Sequence, residues 1–181
     1  MTTAPHPPMV VMGVSGCGKS TVGSLLGERL GMVFQDGDHL HPAANKAKMG
    51  AGIPLDDADR KPWLEEIGRV LRDSSDAGTP MIIACSALKR SYRDLLREHV
   101  PGVVFVHLNG DRATLLARMN ARDHEFMPSS LLDSQLSTLE PLEHDEQHVL
   151  ADITLAPSPL VDAICDRLSV LTLPVGASVE G

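Results

Sequence analysis

The sequence predicts an α/β fold, a five-stranded parallel sheet with helices on both faces. Two observations carry that expectation. Short apolar runs alternate with segments of helical period from residue 9 to residue 168. The runs are apolar throughout rather than alternating, as strands covered on both faces are. The length of 181 residues suits one domain. It is read as residues 9–173, between a loose, proline-bearing tail at 1–8 and a frayed end at 174–181.

The first strand is expected at 9–12 (M-V-V-M), stopped by Gly13. Residues 19–30 are helical, with Val22, Leu25, Leu26 and Leu30 on one face and Gly31 as the stop. Residues 32–34 form a second strand and 36–40 a loop, and Pro42 stands at a first helical position. The Gly, Pro and Asp content of 49–59 predicts a loop. Trp63, Ile67, Val70 and Leu71 share one face of a helix between 59 and 75. Residues 81–85 make a third strand. Leu88, Tyr92, Leu95 and Leu96 mark a helix whose Arg93 and Arg97 are expected on a solvated basic face. A fourth strand covers 103–108. Asp111 is placed to cap a helix carrying Leu115, Leu116 and Met119, and a further helical pattern runs from Leu131 to Leu139. The acidic segment 140–148 has no period. A fifth strand at 149–155 and a helix through Leu160, Val161, Ile164 and Leu168 close the pattern.

Composition narrows the function. With 43% apolar and 22% charged residues the chain is an ordinary globule, not a disordered one. No apolar run approaches a membrane span, and the first residues lack the basic start of a signal peptide, so no membrane partner is expected. A net charge of -8 and only five aromatic rings argue against nucleic acid as a partner. Three cysteines, an odd count without metal spacing, fit reduced thiols in a cytoplasmic protein.

Residues 13–20 read G-V-S-G-C-G-K-S, a full match to the G-x-x-x-x-G-K-[ST] phosphate loop, between a predicted strand and a predicted helix. Glycines at 13, 16 and 18 permit the turns that aim successive backbone N–H groups at phosphate oxygens. Lys19 can reach the β and γ phosphates, and the Ser20 hydroxyl can bind Mg²⁺. Cys17 sits near a helix N-terminus, which can lower a thiol pKa, or it simply fills a small-residue position. After the second strand comes D-G-D-H-L-H-P (36–42), which would project beside the phosphate loop. Its Asp36 and Asp38 suit the orientation or deprotonation of an attacking hydroxyl, or the metal's water shell, or merely a turn. No acidic residue closes the third strand, which ends C-S-A-L-K-R (85–90). That favours a small-molecule kinase over a hydrolytic switch and puts Ser86 and Lys89 near an acceptor. Arg118 and Arg122, i and i+4 neighbours before a loop, suggest a lid over phosphate charge.

The phosphate loop, the long segment from D-G-D-H-L-H-P through Asn45, Lys48, Met49, Asp57, Asp59, Arg60, Trp63 and Leu64, and C-S-A-L-K-R with Y-R-D-L-L-R resemble gluconokinases of the shikimate-kinase-like P-loop group. The match continues through L-N-G-D (108–111) and S-Q-L-S-T-L-E-P (134–141). The resemblance implies a P-loop kinase fold with a mobile lid at about 122–140. It implies transfer of the ATP γ-phosphate, with Mg²⁺, to O6 of D-gluconate, and a homodimer. On that reading Lys19, Asp38 and Arg122 are catalytic. Gly13, Ser15, Gly16, Cys17, Gly18, Lys19, Ser20, Thr21 and Arg118 hold the nucleotide, and Ser20 and Asp36 the metal. Asp38, His41, Arg60, Ser86, Lys89 and Gln135 bind the acceptor. The lid departs from the family pattern: it reads R-D-H-E-F-M, with Glu125 where histidine is usual and His124 one place earlier. Glu125 is expected to point away from phosphate. The competing readings are another acceptor kinase of shikimate type and a nucleotide-gated module without phosphoryl transfer.

Overall fold

The computed structural model describes residues 6–121 and 129–171. Strand β1 (Met9–Met12) is fully buried and lies at the centre of a five-stranded parallel sheet. With β2 (Phe34–Asp36), β3 (Ile82–Ala84), β4 (Val104–Asn109) and β5 (His148–Asp152) it has the order β2-β3-β1-β4-β5. Successive side chains of β1 face opposite ways. Met9 and Val11 join one core, packed by α1 (Lys19–Leu30), α5 (Arg112–Asn120), α6 (Ser129–Thr138) and α7 (Pro157–Leu171). Val10 and Met12 join the other, under α3 (Asp57–Asp76) and α4 (Arg90–His99). The period-free apolar runs are thus strands buried on both faces.

Register sets the site. Asp36 pairs with Ala84, which pairs with Val11, so one rung crosses the carboxyl ends of β2, β3 and β1. Ligands of open α/β sheets bind beyond such ends.

Several boundaries differ from expectation. The second strand starts at Phe34, not at 32, because Gly31 caps α1 in the left-handed region (φ 66°) and the Met32 N–H still bonds the Gly27 carbonyl. The expected loop at 36–40 is a 3-10 turn over Gly37–Leu40, capped by the Asp36 side chain, which accepts the Asp38 N–H. Within 49–59 the chain is helical to Gly50 in α2 (Ala43–Gly50), and α3 begins at Asp57. The acidic run before Arg60 is a capping box: Asp56 accepts the Asp59 N–H at 2.8 Å, and Asp59 accepts the Asp56 N–H at 3.1 Å. Strand β5 ends at Asp152, whose carboxylate turns the chain by accepting the Thr154 N–H. Pro8, assigned to the tail, gives its carbonyl to Val104 beside β1.

Arg93 departs from its expected setting. Expected on a solvated face, it has no exposed surface. Its guanidinium meets Glu146 at 2.6 Å and donates to the carbonyls of Ala87, Leu88 and Pro141. Glu146, in the period-free acidic segment, is equally buried. Arg97 does stay at the surface, paired with Asp94 and Asp145.

Candidate active site

The phosphate loop follows β1 and turns through three glycines at positive φ, Gly13 (143°), Gly16 (81°) and Gly18 (98°), a region closed to side chains. Cys17 lies beneath it: a Cβ on Gly13 would stand 2.8 Å from the Cys17 Sγ. Burial pushes that thiol up, and the nearby Lys19 only partly opposes it. The activated-thiol reading of Cys17 is therefore set aside.

The Lys19 ammonium donates to the carbonyls of Gly13 (3.0 Å) and Val14 (3.1 Å). The Ser20 hydroxyl donates to Asp36 Oδ2 at 2.8 Å. This contact spans from the start of α1 to the end of β2 and places hydroxyl and carboxylate oxygens side by side. Gly37 follows, and a Cβ there would meet the Ala84 carbonyl at 2.3 Å, so only glycine lets this turn lie against β3. The Gly13 N–H bonds the Ser86 carbonyl, which ties the loop after β3 to the phosphate loop.

Gln135, expected at the acceptor, bonds the phosphate loop. Its amide oxygen accepts the Ser15 N–H at 2.6 Å and its amide nitrogen donates to the Ser15 hydroxyl at 2.9 Å, so α6 is fastened to the phosphate loop. Arg118 donates to the Ile153 carbonyl and stands near Gly18. A cleft of about 290 Å³ opens there, lined by Gly16, Gly18, Thr21, Arg118, Leu155 and Pro157 among others. Pro157 is a contributor that the sequence pattern alone does not single out. Arg122, His124 and Glu125 lie outside the described residues.

On the acceptor side Asp38 is 80% exposed at its side chain, and His41 Nε2 lies 3.9 Å from its Oδ1. His41 itself is buried and stacks on Trp63 at 4.0 Å. Lys89 is committed to Asp57 at 3.0 Å, and the Tyr92 hydroxyl donates to the same carboxylate. Those two donors, Tyr92 first, hold the Asp57 carboxyl below its ordinary range, and Asp57 in turn raises Lys89. Arg60 lies 6.0 Å over the Tyr92 ring. Among the described residues Arg60 forms no ion pair, although its charge still acts on Asp57: Asp56 caps α3, Asp57 is held by Lys89 and Tyr92, and Asp59 by Lys48 at 2.7 Å. Asp57 and Tyr92 stand in the segments that carry the resemblance, but charge and period mark them only as a carboxylate in an acidic run and an apolar position on a helix.

A phosphate loop at the sheet's central strand, with a serine–carboxylate pair beside it, defines a P-loop phosphotransferase. Known proteins agree. The family model described as Shikimate kinase matches residues 15–164. The gluconokinase of Gluconobacter oxydans is 51% identical over 138 residues, 76% of this chain and 78% of that protein. The thermosensitive gluconokinase of Escherichia coli is 47% identical over 141 residues, 78% of this chain and 75% of that protein. The crystal structure of a gluconokinase from Sinorhizobium meliloti superposes with a TM-score of 0.84 at 45% identity, covering 93% of this chain and 95% of that one. The chain belongs to the shikimate kinase family, within its gluconokinase branch. Shikimate kinase of Aquifex aeolicus, 18% identical with a TM-score of 0.58, shares the fold. Among the described residues no helix is long and apolar enough to cross a membrane.

Proposed function

We propose that this protein transfers the γ-phosphoryl group of ATP to O6 of D-gluconate, giving 6-phospho-D-gluconate and ADP. The relatives named gluconokinase support the acceptor class. The observation that carries it here is Arg60, a guanidinium on the acceptor side whose acidic neighbours are all engaged elsewhere. Such a cation suits the carboxylate of an open-chain sugar acid.

The loop amides and Lys19 hold the phosphates. An ammonium has three protons, and with two on loop carbonyls the third remains for a phosphate oxygen. Ser20 and Asp36 fit Mg²⁺: both offer hard oxygens, 2.8 Å apart. Such an ion would take its other ligands from phosphate and water. When bound, the ion would neutralise phosphate charge. Asp38 orients the O6 hydroxyl and accepts its proton as O6 bonds the γ phosphorus and the bond from phosphorus to the ADP oxygen breaks. Arg118 and Arg122 are assigned to the phosphate charge, and the assembly is taken to be a homodimer.

The test is ADP release over sugar acids, sugars and shikimate. A site built around a polar partner rejects analogues lacking it by up to ~10⁴-fold. D-Gluconate should therefore exceed D-glucose in kcat/KM by several orders of magnitude. Arg60→Ala should raise KM for gluconate sharply and leave KM for ATP unchanged. Equal rates with glucose overturn the reading, a preference for shikimate supports the shikimate-type alternative, and no ADP release with any acceptor supports the nucleotide-gated module.

A further inference from the structure

The Asp38 carboxylate is largely exposed, and the turn that carries it fixes its backbone rather than its side chain. Among the described residues, the one imidazole, ammonium or guanidinium nitrogen within 4.0 Å of it belongs to His41. A base that must meet one hydroxyl needs something to aim it.

His41 is held on three sides. Trp63 stacks on its ring at 16° between planes, and the Trp63 indole N–H is itself fixed on the Gly37 carbonyl at 2.8 Å. The His41 N–H bonds the Asp38 carbonyl, closing the turn. Asn45, 3% exposed, places its amide nitrogen 2.9 Å from the Asp59 carbonyl and 3.2 Å from His41 Nδ1. The Asp59 carbonyl can only accept, so the atom facing it must be the Asn45 NH₂. The second proton of that NH₂ then points at Nδ1, which must accept. A neutral imidazole with Nδ1 accepting carries its proton on Nε2, the nitrogen that faces Asp38.

Resting on the phosphoryl-transfer reading, we infer that His41 is a positioning residue for Asp38: Asn45 fixes it as the Nε2–H tautomer, and that N–H, 3.9 Å from Asp38 Oδ1 and so an electrostatic contact longer than a hydrogen bond, draws the carboxylate toward the acceptor hydroxyl. The expectation that His41 binds the acceptor directly gives way to a role one step behind it. Burial, which lowers the imidazole below its ordinary range against the opposing pull of Asp38, keeps the ring neutral as this arrangement requires.

Long-range proton–nitrogen correlation spectra of the whole protein near neutral pH test the tautomer without any substrate. The Nε2–H form is expected, with loss of that preference in Asn45→Ala; a Nδ1–H form overturns the inference. Kinetics test the role. His41→Phe keeps a ring against Trp63 but has no N–H, and should lower kcat roughly fivefold, the scale of a charge contact at an exposed carboxylate, with KM for ATP unchanged. His41→Gln, whose amide nitrogen can stand where Nε2 stood, should recover most of that loss. In an Asp38→Asn background His41→Phe should add little. An unchanged kcat in His41→Phe, or a His41→Gln as impaired as His41→Phe, overturns the positioning role. Should another acid prove to be the acceptor, the substrate reading fails alone: the tautomer result stands, and the same variants are measured with that acid.

Discussion

His107 sits in β4 with 6% exposure, and burial pushes its imidazole down to about 4 from an ordinary 6.5. Above pH 6.5 it is neutral in folded and unfolded chains alike, and its contribution to stability is complete. As pH falls from 6.5 towards 4 the unfolded chain takes up the proton first, so stability drops; below the folded value no more is lost. At ~1.36 kcal/mol per unit this is on the order of 3 kcal/mol. Thermal melts across that window should show a falling Tm in the native protein and a shallower fall in His107→Leu; identical slopes would remove His107 from the account. At the loop, Lys19→Ala should abolish transfer while the fold survives, since this side chain serves the ligand rather than the core. Asp38→Asn should lower kcat by roughly 10²-fold or more. A larger loss in Asp36→Asn would reverse the roles given to the two carboxylates.

Between elements, the buried Arg93–Glu146 pair clamps α4 to the segment that follows α6. The same guanidinium holds the carbonyls of Ala87 and Leu88, in the loop that carries Ser86 and Lys89. Burial raises the Glu146 carboxyl, but Arg93 and the Glu143 N–H more than offset it, so the glutamate is ionised inside the protein. Removing one partner of such a pair strands the other charge and costs about 3–5 kcal/mol. Arg93→Ala should therefore lower Tm by on the order of 10 °C. Arg97→Ala, at a half-exposed pair, should cost under about 1 kcal/mol. Similar Tm changes for both would contradict the burial argument. The capping box makes a smaller case: Asp56→Ala should cost about 1 kcal/mol in denaturant titrations.

At the scale of the whole molecule, parallel strands bring distant segments to one end of the sheet. The Ser20–Asp36 contact joins the nucleotide loop to the turn that carries Asp38, and Gly13 joins it to Ser86. Ligand binding to that end should stabilise the whole fold. At a concentration about 100 times Kd, ATP with Mg²⁺ should add about 2.7 kcal/mol, a rise in Tm of several degrees. Chelation of the metal, or Asp36→Asn, should remove most of that rise if Ser20 and Asp36 hold the ion. A Tm rise indifferent to both would place the metal elsewhere.

Read alone, the sequence determined the α/β class, the position of each strand and helix to within a few residues, and the phosphate loop, because these depend on local period and on glycines at fixed spacing. The helix cap at Asp111 is equally local, its carboxylate accepting the Thr114 N–H at 2.7 Å. Their places after the second and third strands marked Asp36, Asp38 and Lys89 as site candidates, and resemblance added Arg60. Only the tertiary structure decided what each of them touches. Arg93 and Arg97 lie four residues apart on one helix with the same charge. One is buried because Glu146, 53 positions away, meets it, and the other is solvated. Gln135 turned to the phosphate loop, Lys89 to Asp57, and His41 was enclosed by Asn45 and Trp63. Hydrogen bonds and charge pairing act over a few ångströms in space, and the chain's order carries no direct record of which distant groups the sheet brings that close.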